Sequence, residues 1–149
     1  MNTTDTILKK LKRFCSYQER SHKQVLQKLN KFKIPKNEIE KIISTLISAD
    51  FLNETRFSIC FARGKFKIKK WGKIKIKNQL YKQNISEWNI NKAISEIDEI
   101  EYLETFNLLF KKYWNMNKDH ILCKKKVYNT LKSKGWENSL ILNSINEKN

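Results

Sequence analysis

Large apolar residues recur along this chain at one fixed spacing of 51 positions, without a gap. Val25, Ile76 and Val127 form one column, and Leu29, Leu80 and Leu131 the next. Ile34, Ile85 and Trp136 follow, then Ile39, Ile90 and Ile141, then Ile43, Ile94 and Ile145. Five aligned columns mean that one structural unit is used three times. Stacked units make an extended face and no single deep pocket, so the pattern points to a binding protein and away from an enzyme.

Within each unit the pattern has helical period. Ser21 is an N-cap candidate, and Gln24 three residues on closes a capping box. The helix it opens runs to about Phe32, with Val25, Leu26 and Leu29 on one face. Pro35 suits the first turn of the next helix, whose stripe is Ile39, Ile42, Ile43, Leu46 and Ile47. In the third repeat Gly135 ends one helix, and Leu140, Ile141, Ser144 and Ile145 mark the next. A further stripe precedes each pair: Ile7, Leu8, Leu11 and Phe14; Phe57, Cys60, Phe61, Gly64 and Ile68; Tyr102, Phe106, Leu109, Phe110 and Tyr113. The expected fold is therefore all-α. It consists of three tandem three-helix repeats, about nine helices, stacked into an elongated curved rod. The expected divisions are residues 1–52, 53–103 and 104–149.

One segment has the other period. Residues 65–77 alternate apolar and basic on both sides of Trp71-Gly72, which in isolation signals a β-hairpin. The columns override it. Gly72 stands in the column of Ser21, and Ile76 and Leu80 stand under Val25 and Leu29. A helix over Lys73–Lys82 is the expectation.

Charge then changes the picture. The formal net charge is +16, which speaks to partners such as nucleic acid or acidic proteins. Coding bias toward Lys, Asn and Ile also produces such an excess, so its position matters more than its total. From Thr55 to Ser86 there are ten basic residues and no acidic one. The candidate partner- or phosphate-binding residues are Arg63, Lys65, Lys67, Lys69, Lys70, Lys73, Lys75 and Lys77.

Candidate chemistry is sparse. Cys15, Cys60 and Cys123 are scattered, and His120 with Cys123 lacks the second pair that a four-ligand zinc site needs. There is no Gly-rich phosphate loop, Ser/His/Asp set or carboxylate pair placed for acid–base work. No cofactor, metal or catalytic residue is expected. With no long apolar run and no signal peptide, the expectation is a cytoplasmic protein, a monomer without a membrane partner.

The middle repeat resembles the RecX family of bacterial regulatory proteins. The residues that carry the resemblance are Asp50-Phe-Leu-Asn-Glu-Thr-Arg-Phe57, then Phe61-Ala-Arg63, then Gly72 leading into Ile76, Leu80 and Ile85. Ser21 to Leu29 is similar to the family's first repeat. The likeness covers Phe14 to Leu103 well and the last repeat weakly. Asn53 or Glu54 stands where the family commonly has Asp, and the basic block is Lys-rich where many relatives use Arg. The resemblance implies a rod of three-helix repeats lying in the groove of the RecA–DNA filament. There it would restrain filament growth, ATP hydrolysis and strand exchange. The alternative is a nonspecific nucleic-acid-binding protein. Its Lys-dominated block suits weak, salt-sensitive phosphate contact with single- or double-stranded DNA, and not base readout. A second alternative is a membrane-surface or target-binding role for the basic amphipathic segment at Ile7 to Phe14.

Overall fold

The computed structural model describes residues 3–148. Among these it contains nine helices and no strand: α1 (Thr3–Tyr17), α2 (His22–Asn30), α3 (Lys36–Ser48), α4 (Glu54–Lys67), α5 (Lys73–Lys82), α6 (Glu87–Ser95), α7 (Glu99–Asn117), α8 (Cys123–Ser133) and α9 (Asn138–Asn146). The helices pack in consecutive threes. The accessible surface is 9449 Å², against about 8,000 Å² for a compact monomer of this size. The stack is therefore elongated.

Local chemistry sets the helix ends. The side chains of Ser21, Asn53, Ser86 and Asp98 each accept from the backbone N–H three residues on. Each so satisfies one of the orphan donors of a first turn. At Ser21 the capping box with Gln24 is complete. Pro35 lies one place earlier than expected, as the N-cap of α3. The second helix of every unit stops in the same way. Lys33, Asn84 and Gly135 have φ of 54°, 60° and 91° and are themselves 51 positions apart. α2 therefore ends at Asn30, short of Phe32. The next residues, Ile34, Ile85 and Trp136, turn back onto the helix they follow. The N–H of Ile85 donates to Leu80 O at 3.2 Å, and that of Trp136 to Leu131 O at 3.1 Å. This left-handed cap with an apolar residue behind it satisfies the last carbonyls.

Residues 65–77 form no hairpin. Lys65 to Lys67 close α4, a short link follows, and α5 spans Lys73–Lys82. Burial explains why the helical period wins. Val25, Ile76 and Val127 are 0% exposed, and so are Leu29, Leu80 and Leu131. A strand over 73–77 would take Ile76 and Leu80 out of these columns. Replacing Leu80 by Ala should cost about 2–5 kcal/mol in denaturant unfolding, the usual range for a buried Leu.

The cores do not follow the three units one for one. α1 to α3 enclose a separate core of Ile7, Leu11, Val25, Leu29, Ile42, Leu46 and neighbours, against which Leu8 and Phe14 pack. The apolar stripe of α1 is thus consumed in docking, and not free for a membrane or a target helix. α4 to α9 share one continuous core. Tyr102 and Trp136 lie at its centre with ring centroids 4.6 Å apart, and Phe66 and Phe106 pack against them. α7 begins at Glu99, so the division expected at 103/104 falls inside it.

The two joints along the stack are equivalent in position and unequal in closeness. In the first, Ser21 Oγ donates to Gln83 Oε1 at 2.7 Å and Lys23 Nζ to Lys82 O at 2.7 Å. Arg56 adds a 2.5 Å bond to Glu19. In the second, backbone meets backbone. Gly72 N–H donates to Lys134 O at 2.8 Å and Ile74 N–H to Gly135 O at 3.1 Å. The Lys73 N–H donates to the Tyr102 hydroxyl at 2.9 Å. α5 has no side-chain cap; these acceptors take the place of the serine that caps α2. Only glycines permit the approach. A Cβ on Gly72 would lie 2.6 Å from Trp136 N, and one on Gly135 would lie 2.5 Å from Lys75 N.

Candidate partner-binding face

The link between α4 and α5 gathers the basic residues of the second unit. Lys70, at φ 59°, turns the chain. Its neighbour Trp71 donates its N–H back to Lys65 O at 3.2 Å. This folds the indole against the end of α4, half-buried on the shared core. Lys65 Nζ lies 5.1 Å and Lys75 Nζ 4.6 Å from the Trp71 ring centroid. Both ammonium groups sit within cation–π range of one ring. Lys69 and Lys70 project from the link, exposed. The link backbone is pinned from below, where Trp136 Nε1 donates to Lys70 O at 3.1 Å. Beside them Ile68 is 79% exposed. The result is a fixed, cation-rimmed surface with an isoleucine and an indole in its middle.

The remaining sequence-derived candidates are placed differently. Lys73 turns to α7, where its Nζ is 2.7 Å from Glu99 Oε2 and 4.4 Å from the Tyr102 ring centroid. It serves the joint between the second and third units. Arg63 and Lys67 line a small cleft of about 220 Å³ that also holds Glu96, Asp98 and Glu101, so their charge faces carboxylates. Lys77 is half-buried on α5. The structure thus brings together Lys65, Lys69, Lys70 and Lys75, pairs Lys73 with Glu99, and leaves Arg63 and Lys67 on a cleft they share with three carboxylates. The sequence pattern placed Ile68 on the apolar stripe of the second unit's first helix, but it caps that helix and is exposed; Trp71 was not singled out as a contact residue. The signal was a lone Trp inside an acid-free Lys block.

Among the described residues three titrating groups are displaced, all by structural contacts. Burial, then the hydrogen bond to Glu137, pushes the Tyr102 phenol far above its usual range, so it stays a neutral donor to that carboxylate. The hydrogen bond to Glu19 raises Arg56 further; Asp50 also pairs with it at 3.1 Å. Arg56 thus clamps the first joint. Burial raises the Cys15 thiol, which disfavours the reactive thiolate. His120 Nδ1 accepts from the Leu122 N–H at 3.0 Å, and Cys123 is buried. Among the described residues no group of three or more His, Cys, Asp or Glu is placed to hold a metal ion. No helix there is long and apolar enough to cross a membrane.

Residues 53–94, which span α4 to α6, match the family model described as RecX, second three-helix domain. The chain is 28% identical over 137 residues to the regulatory protein RecX of Clostridioides difficile, covering 89% of this chain and 63% of that relative. It therefore spans just under two thirds of that protein's length. Over 135 residues it is 24% identical to the regulatory protein RecX of Chlorobium phaeobacteroides, covering 91% of this chain and 88% of the relative. Among solved structures, RecX from Lactobacillus salivarius superposes with a TM-score of 0.83 at 24% identity, over 97% of this chain and 95% of the other. That likeness shows the fold. Since the domain match falls on the unit with the carrying motifs, and the sequence likeness to regulatory RecX proteins runs through nearly the whole chain, the chain belongs to the RecX family.

Proposed function

We propose that this protein binds the RecA–DNA filament and lowers its activity, with the surface around Trp71 as a main contact. Family membership supports the partner. The observation that carries the site is the gathering of Lys65, Lys69, Lys70 and Lys75 around Trp71 and exposed Ile68. Lysines at a rim steer association with an acidic surface and add little holding energy each. An aromatic and an aliphatic side chain at the centre supply the desolvated anchor that a protein partner needs. The elongated stack suits a groove, where contacts spread over several units. The action is occupancy, slowing subunit addition and ATP turnover in the filament.

Titration into a RecA ATPase assay with single-stranded DNA tests the proposal. The expected result is a fall in rate that saturates near a fixed ratio of this protein to filament subunits. An unchanged rate and filament length at stoichiometric excess would remove RecA as the partner.

A further inference from the structure

A second cationic surface lies on the first unit, away from the acid-free block. Lys10 and Arg13 of α1, Arg20 of the α1–α2 link, Lys28 of α2 and Lys31 beyond it line one open groove of about 690 Å³. They come from separate parts of the sequence and converge only through the packing of α1 against α2 and α3. No carboxylate lines the groove among the described residues. Its remaining walls are aromatic: Phe14, Tyr17 and Phe32. Arg20 is held in place by its Nε–H, which donates to Phe14 O at 2.9 Å. Its guanidinium carbon so sits 3.8 Å from the Phe14 ring centroid. Lys28 and Lys10 cover Phe14 and Phe32 at 5.5 Å each. Tyr17 is 83% exposed at the end of α1, with the Arg20 guanidinium carbon 5.9 Å from its ring centroid.

We infer that this groove binds single-stranded nucleic acid, with Arg13, Lys28 and Lys31 on phosphates and Tyr17 and the Arg20 plane stacking on bases. The inference is independent of the RecA reading, because it concerns another unit and needs no protein partner. The charges suit a polyanion, and the rings choose among polyanions. A duplex keeps its base faces stacked inside, so an exposed tyrosine gains nothing from it. An acidic peptide offers charges and no planar rings. A single strand offers both a phosphate track and open base faces, and aromatic platforms beside cationic grooves are how sequence-tolerant strand binding works. With about three phosphates neutralised, log affinity should fall against log salt with a slope near −2.

The test is fluorescence anisotropy at low salt with a labelled oligothymidylate of about 12 nucleotides, an abasic oligomer of equal length, and a duplex. The wild-type protein should bind the single strand and prefer it to the duplex. Y17A should weaken oligothymidylate binding roughly fivefold or more, as loss of one base stack requires, and leave abasic-oligomer binding unchanged. R13E/K31E should weaken both. All three side chains are exposed, so melting temperatures should match wild type. K65E/K69E/K70E, altered on the second unit, should bind the oligomer nearly as well as wild type. Wild-type affinity of Y17A for thymidylate, equal affinity for the duplex, or displacement by polyglutamate as readily as by unlabelled strand would each overturn the inference.

Discussion

Replacing Lys65, Lys69 and Lys70 together by Glu should weaken inhibition of RecA ATPase by roughly tenfold or more, the scale of lost electrostatic steering. Single changes at these positions should do little, because each charge is one of several at an exposed rim. The triple variant should fold as well as wild type. Lys69 and Lys70 are exposed, and reversing three charges relieves self-repulsion in a chain of net charge +16. Lys73 is left out because its ammonium pairs with Glu99 beside Tyr102. A glutamate there would face a carboxylate and disturb the second joint. K111E/K125E/K126E, with the same total change on exposed positions of the third unit, is the control. If it loses inhibition equally, net charge and not this surface governs binding.

Replacing Gly135 by Ala should destabilise the protein by roughly 2–5 kcal/mol, from steric overlap and backbone strain together. The new Cβ would meet Lys75, and φ is +91°. Gly64 supplies the opposite case. It lies within α4 with open space around it, so Gly64→Ala should stabilise by about 0.5–1 kcal/mol. Urea unfolding of the two variants reads both signs. A neutral Gly135→Ala would mean that the second and third units do not meet backbone to backbone. Its expected cost is large because α5 takes its N-terminal acceptors from Tyr102 and Gly135, and α4 to α9 share one core.

Much of the fold was legible because burial repeats with the unit. Columns such as Leu29, Leu80 and Leu131 report the core directly, and Lys73–Lys82 followed from alignment against Ser21 to Leu29 despite a local strand period. The left-handed caps were read from sequence only at Gly135. Asn84 carries a weaker signal, since Asn tolerates that region better than most side chains; at Lys33 the side chain gives none, and packing imposes the conformation. The joints were hidden for a different reason. Gly72 reads as a missing N-cap serine, and what replaces the serine is the Tyr102 hydroxyl of α7, which accepts from the Lys73 N–H, 29 positions before it. The candidate site was half visible. The acid-free run marked the block, yet sequence does not say that Lys73 turns to Glu99 while Lys65 and Lys75 turn to Trp71. The groove of the first unit was visible only in part: Lys10 and Arg13 fell in the basic amphipathic segment, while Arg20, Lys28 and Lys31 stand on other stretches of the chain and join them only through packing.

Hydrogen–deuterium exchange on this protein, free and with saturating RecA–DNA filament, tests the central claim most directly. The link from Ile68 to Gly72 is exposed at Ile68, Lys69 and Lys70 and outside any helix; its amides are held by isolated turn bonds such as Lys70 N–H to Phe66 O, so they open locally and exchange faster than the helix interiors in the free protein. The account predicts that filament slows exchange across this link and the adjoining ends of α4 and α5. No such slowing with K65E/K69E/K70E is expected at the same concentrations. Unchanged exchange at Ile68 to Gly72, with protection confined to other units, would contradict it.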